Sequence, residues 1–150
     1  MTQPITTAEI VIIGLEADSK EDACRQLANR LVEAGRLTNI DDYLAAVAAR
    51  EQHFPTGIEG GIAIPHAQSD FVLVPSVAVG VSPSGVNFGA DDGDSNLIFL
   101  IAAPASSEGT HLQILSRLAR KIMNDEFCDE LRAETDPAAL AATLTREVQD

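Results

Sequence analysis

Apolar positions fall in short runs along this chain, and their spacing switches between two periods. AEIVIIGL (8–15) is short, β-branched and apolar, which predicts a first strand. In DSKEDACRQLANRLVEAGR (18–36) the period lengthens. Ala23, Leu27 and Leu31, with Ala28 and Val32 one step round, share one face of a helix. Ser19 followed by Asp22 reads as a capping box at its start, and Gly35 as its stop. NIDDYLAAVAAREQ (39–52) predicts a second helix, capped by Asn39 or Asp41. Its buried face would be Ile40, Leu44, Val47 and Ala48, and its end carries Arg50, Glu51 and Gln52.

A strand-rich centre follows. GIAIPH reads as a short buried strand closed by Pro65, with SVAVGVSP (76–83) and NLIFLIAAP (96–104) as two more. The last is apolar on both faces, which places it centrally in a sheet. Three helices end the chain. GTHLQILSRLARKIM (109–123) has Thr110 as its expected N-cap and Leu112, Leu115, Leu118, Ala119 and Ile122 along one side. NDEFCDELRAE (124–134) is short. DPAALAATLTREVQ (136–149) opens with Asp136 as cap and Pro137 at the first helical position. Helices flanking a strand-rich centre predict an α/β layered domain, with a mixed sheet rather than a regular βαβ repeat. The 150 residues suit one domain, 1–150, with no internal repeat or linker.

Charge narrows the function classes. Ten basic against 23 acidic residues leave a net charge of −13, which excludes a nucleic-acid binder built on Lys/Arg patches. An acidic surface serves solubility, or steers a docking protein that carries a basic patch. No apolar run reaches the roughly 18 residues of a membrane span, and the first residues carry no basic leader. With only Cys24 and Cys128, far apart, the expectation is a cytoplasmic protein with two reduced thiols.

The three histidines hold the candidate chemistry. His53, His66 and His111 lack metal-ligand spacing and no C-x-x-C occurs, so neither a metal nor a cofactor is expected. Nucleophile-elbow, P-loop and Rossmann patterns are absent as well. His66 stands out because Pro65 fixes its own φ and holds Ile64 extended, so the imidazole leaves a stiff backbone. A neutral imidazole is a nucleophile that forms covalent intermediates. Gly57, Gly60 and Gly61 would allow tight turns or close approach of a partner or anion. His111, in the first turn of a helix, would meet an anion there, although from pattern alone an ordinary surface helix position is the better reading. Arg50 would bind phosphoryl oxygens bidentately, or simply complement its helix dipole. Two histidines and an arginine around one phosphoryl group make a coherent acceptor site.

TGIEGGIAIPHA, together with GVNFGADDGDSNLIFLIAAPASSEGTHLQILSRLAR, resembles the fructose–mannitol class of IIA domains. These domains belong to the bacterial phosphoenolpyruvate-dependent sugar phosphotransferase system (PTS). Ile62, Ala63, Ile64, Pro65, His66 and Ala67 match the signature, and the FGA-x-DG stretch followed by LIFLIAAP is similar to fructose-type members. The resemblance spans essentially the whole chain and implies a three-layer α/β/α sandwich around a small mixed β-sheet. It implies a phosphoryl acceptor at His66, modified on Nε2, with His111 and Arg50 steadying the transferred group. The donor would be the phosphocarrier HPr and the recipient a cysteine of the cognate IIB domain. That implies a cytoplasmic chain reaching the membrane only through the IIB–IIC partner, in either a free-standing IIA or one excised from a larger transporter. The alternative is a regulatory relative from the nitrogen branch, phosphorylated on the same histidine but acting by binding other proteins. One departure stands out: Glu59 occupies a position where the family usually has a small residue. Phe54, Ile58 and Phe71 are candidates for an apolar partner-facing rim around His66.

Overall fold

The computed structural model describes residues 4–53, 55–106 and 108–148; the side chains of Glu108, Thr110 and His111 lie outside that description. Among these residues six strands form one mixed sheet: β1 (Val11–Ile13), β2 (Gly57–Ile58), β3 (Ile62–Ala63), β4 (His66–Ser69), β5 (Ser76–Val86) and β6 (Ser95–Pro104). The strand order is β1-β5-β6-β3-β2, with β4 also on β6. Pairings of β1 with β5, β3 with β6 and β4 with β6 are parallel, whereas β5–β6 and β2–β3 are antiparallel. The expected mixed sheet is therefore observed, and the doubly apolar β6 lies at its centre.

Alternation along β5 and β6 divides the core between two faces. Val77, Val79, Val81, Leu97, Phe99 and Ile101 pack with α3 (Glu108–Lys121), α4 (Asp125–Ala133) and α5 (Pro137–Val148). Ala78, Ile98, Leu100 and Ala102 pack with α1 (Lys20–Glu33) and α2 (Ile40–His53). Helices thus cover both faces, which is the three-layer α/β/α arrangement. None of the described helices is long and apolar enough to cross a membrane.

Most caps follow the local chemistry. Ser19 Oγ accepts from the Asp22 amide, but in place of the return bond of a full capping box Asp22 Oδ2 accepts from the Asp18 amide. Gly35, at φ +75°, lets its own amide reach Val32 O and the Arg36 amide reach Leu31 O, a Schellman closure. Asn39, rather than Asp41, caps α2 through the Asp42 amide. Asp136 caps α5 through the Ala138 amide.

Several expected boundaries and faces differ. Residues 8–10 form a single 3-10 turn, so the first strand shrinks to three residues. The GIAIPH strand does not end at Pro65. It pauses where the missing proline N–H interrupts the ladder and resumes as β4, so His66 lies within the sheet. Helix α3 begins at Glu108, two residues before the expected cap Thr110, whose side chain lies outside the described residues. Its inner stripe is Ile114, Leu118 and Ile122, while Leu112 is 58 % exposed. On α2 the buried stripe is Tyr43, Val47 and Glu51; Ala48 is exposed. Tyr43 displaces the expected face because its hydroxyl reaches the sheet and donates to Ile101 O at 2.7 Å.

Cys24 and Cys128 are free and buried. Burial, helped by the charges of Glu51 and Glu21, pushes the Cys24 thiol up to about 12. Burial also pushes the Tyr43 hydroxyl well above its ordinary value. Above the ordinary thiol pKa the unfolded chain releases a proton that the native state keeps. Stability is then fully present at neutral pH and falls as pH rises from 9 to 12. Cys24 contributes up to about 1.4 kcal/mol per pH unit in that window. Urea unfolding at pH 8, 9.5 and 11 measures this slope, which Cys24→Ala should make shallower.

Candidate phosphoryl-acceptor site

The geometry at His66 begins with Pro65. The proline ring sets the backbone so that the His66 side chain folds back toward the residue before it, and Nδ1 lies 2.8 Å from Ile64 O. A carbonyl oxygen only accepts, so Nδ1 carries the hydrogen of this bond. In the neutral ring the lone pair then resides on Nε2, which makes Nε2 the nucleophilic atom. The backbone beneath is held twice. The Ile101 amide donates to Pro65 O at 2.9 Å, and Ile101, the register partner of His66, accepts from Tyr43.

Among the described residues, Ala46, Arg50, His66, Ala67, Gln68, Leu112 and Leu115 line an open depression of about 440 Å³. Three elements meet there. Ala46 and Arg50 are four apart on α2 and share a face. Strand β4 supplies His66 and Gln68, two apart and on one side of the sheet. Helix α3 supplies Leu112 and Leu115. The structure thus brings Arg50 and His66 to one surface. His111 is the fourth residue of α3, one turn before Leu115; its side chain lies outside the described residues.

The end of α2 that carries Arg50 is anchored by Glu51. Glu51 is 5 % exposed and accepts hydrogen bonds from the amide and hydroxyl of Thr56, with Lys20 Nζ 3.8 Å away. Thr56 O in turn accepts from the Ile64 amide at 3.2 Å. Glu51 therefore links the end of α2 to the strand that presents His66. Sequence reading placed Glu51 only as a polar helix end. The signal that finds it is its spacing of four from Val47 and eight from Tyr43.

Gly60 and Gly61 form the expected tight turn, whereas Gly57 packs against the chain's own backbone. Gly61, at φ +74°, belongs to the turn between β2 and β3, and its carbonyl accepts from the Asn96 and Leu97 amides. It lies five positions before His66, roughly 16 Å at strand rise. The Cβ of any other residue at Gly57 would stand 2.8 Å from Phe88 O, so this glycine serves close strand packing, not ligand approach. Glu59 is exposed in the same turn, far from the depression, which accommodates the departure from the family pattern. Arg132 fastens that turn through Gly60 O and Asn96 Oδ1. Of the rim candidates, Ile58 and Phe71 are exposed but do not line the depression, and Phe54 lies outside the described residues. Of the apolar residues that do line it, Leu115 packs inward against the core as expected, whereas Leu112 was expected to face inward and is exposed.

Residues 4–147 match the family described as phosphoenolpyruvate-dependent sugar phosphotransferase system, EIIA 2. The chain belongs to this family. Among its relatives, the fructose-specific EIIA component of Haloferax volcanii is 39 % identical over 128 residues, covering 85 % of this chain and 83 % of that protein. The fructose-specific EIIABC component of Bacillus subtilis is 36 % identical over 91 % of this chain; the match spans 22 % of that longer protein. Among solved structures, nitrogen regulatory protein IIA-Ntr of Neisseria meningitidis superposes with a TM-score of 0.83 at 28 % identity, over 93 % of this chain and 96 % of that one. The mannitol IIA of Escherichia coli, in its complex with phosphorylated IIB, gives 0.74 at 28 % identity, over 93 % and 95 %. As an EIIA domain the chain is a phosphoryl carrier, the phosphotransferase component that works through a phosphohistidine. The fold of these relatives is the one described above.

Proposed function

We propose that this EIIA chain takes its phosphoryl group from phospho-HPr on Nε2 of His66 and passes it to the cysteine of a IIB domain serving fructose or a related sugar. The observation that carries this reading is the Nδ1–H to Ile64 O bond, which leaves the lone pair on Nε2. In the first step that pair forms the N–P bond. The P–N bond to the donor histidine breaks, and its electrons return to the donor ring. Ile64 O then stabilises the Nδ1–H of the phosphorylated, more positive ring. In the second step the IIB thiolate attacks phosphorus and the N–P electrons return to Nε2. Arg50 and His111 steady the phosphoryl oxygens as charge moves across them, by positioning and electrostatics rather than covalent chemistry. Leu112 and Leu115 supply apolar contact for the docking proteins, with the acidic surface beyond. The reading places the chain on the cytoplasmic side, at the membrane only through IIB and IIC.

Fructose is favoured by the identity to fructose-specific relatives. The second reading, a nitrogen-branch regulator, rests on the superposition with IIA-Ntr. Onward transfer separates them. Phosphorylated chain mixed with a fructose IIB domain should lose its label to the IIB cysteine within the mixing time of a manual assay. A chain that stays loaded beside an empty, folded IIB would favour the regulator.

A further inference from the structure

One polar group in the depression has no assignment in the steps above. Strand β4 is buried alternately, so Ala67 and Ser69 face the core while His66 and Gln68 lie half-buried on the other side. Gln68 lines the depression with His66 and Arg50, yet its amide nitrogen is buried with no hydrogen-bond partner among the described residues. A buried donor without an acceptor is costly, and native structures rarely keep one without a use. The terminal torsion of glutamine is soft, so the amide turns readily toward an acceptor that arrives beside it. Phosphorylation of His66 brings three anionic oxygens into this same depression. Arg50 offers charge from α2; Gln68 offers a neutral donor from the strand itself, two residues from the acceptor ring.

We propose that Gln68 is a phosphoryl-binding residue, donating its amide N–H to an oxygen of the group carried on His66. This rests on the assignment of His66 as acceptor. A donor used only when the group is present stabilises the loaded chain relative to the empty one. Gln68 therefore sets how far the transfer equilibrium lies toward this chain.

The test measures the partition of phosphoryl group between HPr and this chain at equilibrium, for wild type, Gln68→Leu and Gln68→Glu. Gln68→Leu keeps an apolar stem but loses the donor, and should shift the partition about tenfold toward HPr. Gln68→Glu, which sets a carboxylate against the phosphoryl group, should shift it further. Affinity of the empty chain for HPr should be unchanged in both, a constancy that a docking role would break. A wild-type partition in Gln68→Leu overturns the proposal while His66 is still labelled. So does a loss of HPr affinity with no change in partition, which makes Gln68 a docking residue. A wild-type chain labelled at a residue other than His66 overturns the underlying assignment, and this proposal with it.

Discussion

His66→Ala takes up no phosphoryl group from phosphoenolpyruvate, enzyme I and HPr, whereas the wild type is labelled stoichiometrically. The loss should be complete rather than partial, because the reaction needs a covalent acceptor and not merely a binding surface. The variant should remain folded. His66 is half-buried, and its Ile64 bond is local, bridging only one residue. The cost in stability should be about that of an ordinary surface change, within roughly 1 kcal/mol. Mass spectrometry of the labelled protein beside a thermal melt checks both halves. Stoichiometric labelling of a folded His66→Ala chain would remove His66 from the mechanism. Arg50→Ala and His111→Ala form the graded comparison. In the proposed mechanism each removes a group that steadies the phosphoryl oxygens and keeps the nucleophile, so each should still be labelled, about a hundredfold more slowly.

The second large effect is on stability. Glu51→Ala should destabilise the domain by about 3 kcal/mol, the low end for removing one partner of a buried charged network. Three hydrogen bonds from Thr56 converge on this carboxylate, and without it the buried Thr56 amide has no acceptor there. For a chain of this size the midpoint of thermal unfolding should fall by roughly 10 °C. Glu51→Gln keeps one acceptor oxygen and should recover part of the loss. Because Thr56 O holds the Ile64 amide, loosening this corner also frees the strand that presents His66. Labelling of Glu51→Ala should therefore slow even at temperatures where it is folded. A melt unchanged within about 2 °C would show that the carboxylate is not the anchor described here.

Much of this architecture is legible in local chemistry. Ser19, Gly35, Asn39 and Asp136 mark helix ends because capping depends on neighbours within a few residues. The central place of β6 is legible because only a strand covered on both sides is apolar throughout. Pro65 ahead of His66 marks that histidine as the candidate acceptor for the same reason: its effect reaches one residue either way.

Errors arose wherever a partner distant in sequence decided. Tyr43 lies off the apolar face that the spacing predicts for its helix, and is buried because the sheet supplies an acceptor at Ile101, 58 positions away. Glu51 is buried because Thr56 and Lys20 compensate it. Leu112 fits a helical apolar stripe, yet the helix turns it outward to line the depression, since Ile114 and Leu118 occupy the core. The glycines of GIEGG form the tight turn expected of them, but as a hairpin roughly 16 Å up the strand from His66, because strand pairing, not composition, places it.

The sequence by itself determined a histidine on a stiff backbone, in an acidic α/β chain of the EIIA family. Only the tertiary structure decided that Nδ1 of His66 faces Ile64 O, that Arg50 reaches the same surface, and that Gln68 stands beside them with an unpartnered amide. The physical reason is range. Backbone stiffness and capping act over a few residues, whereas a depression between α2, β4 and α3 exists only once the sheet has paired and both layers of helices have packed onto it.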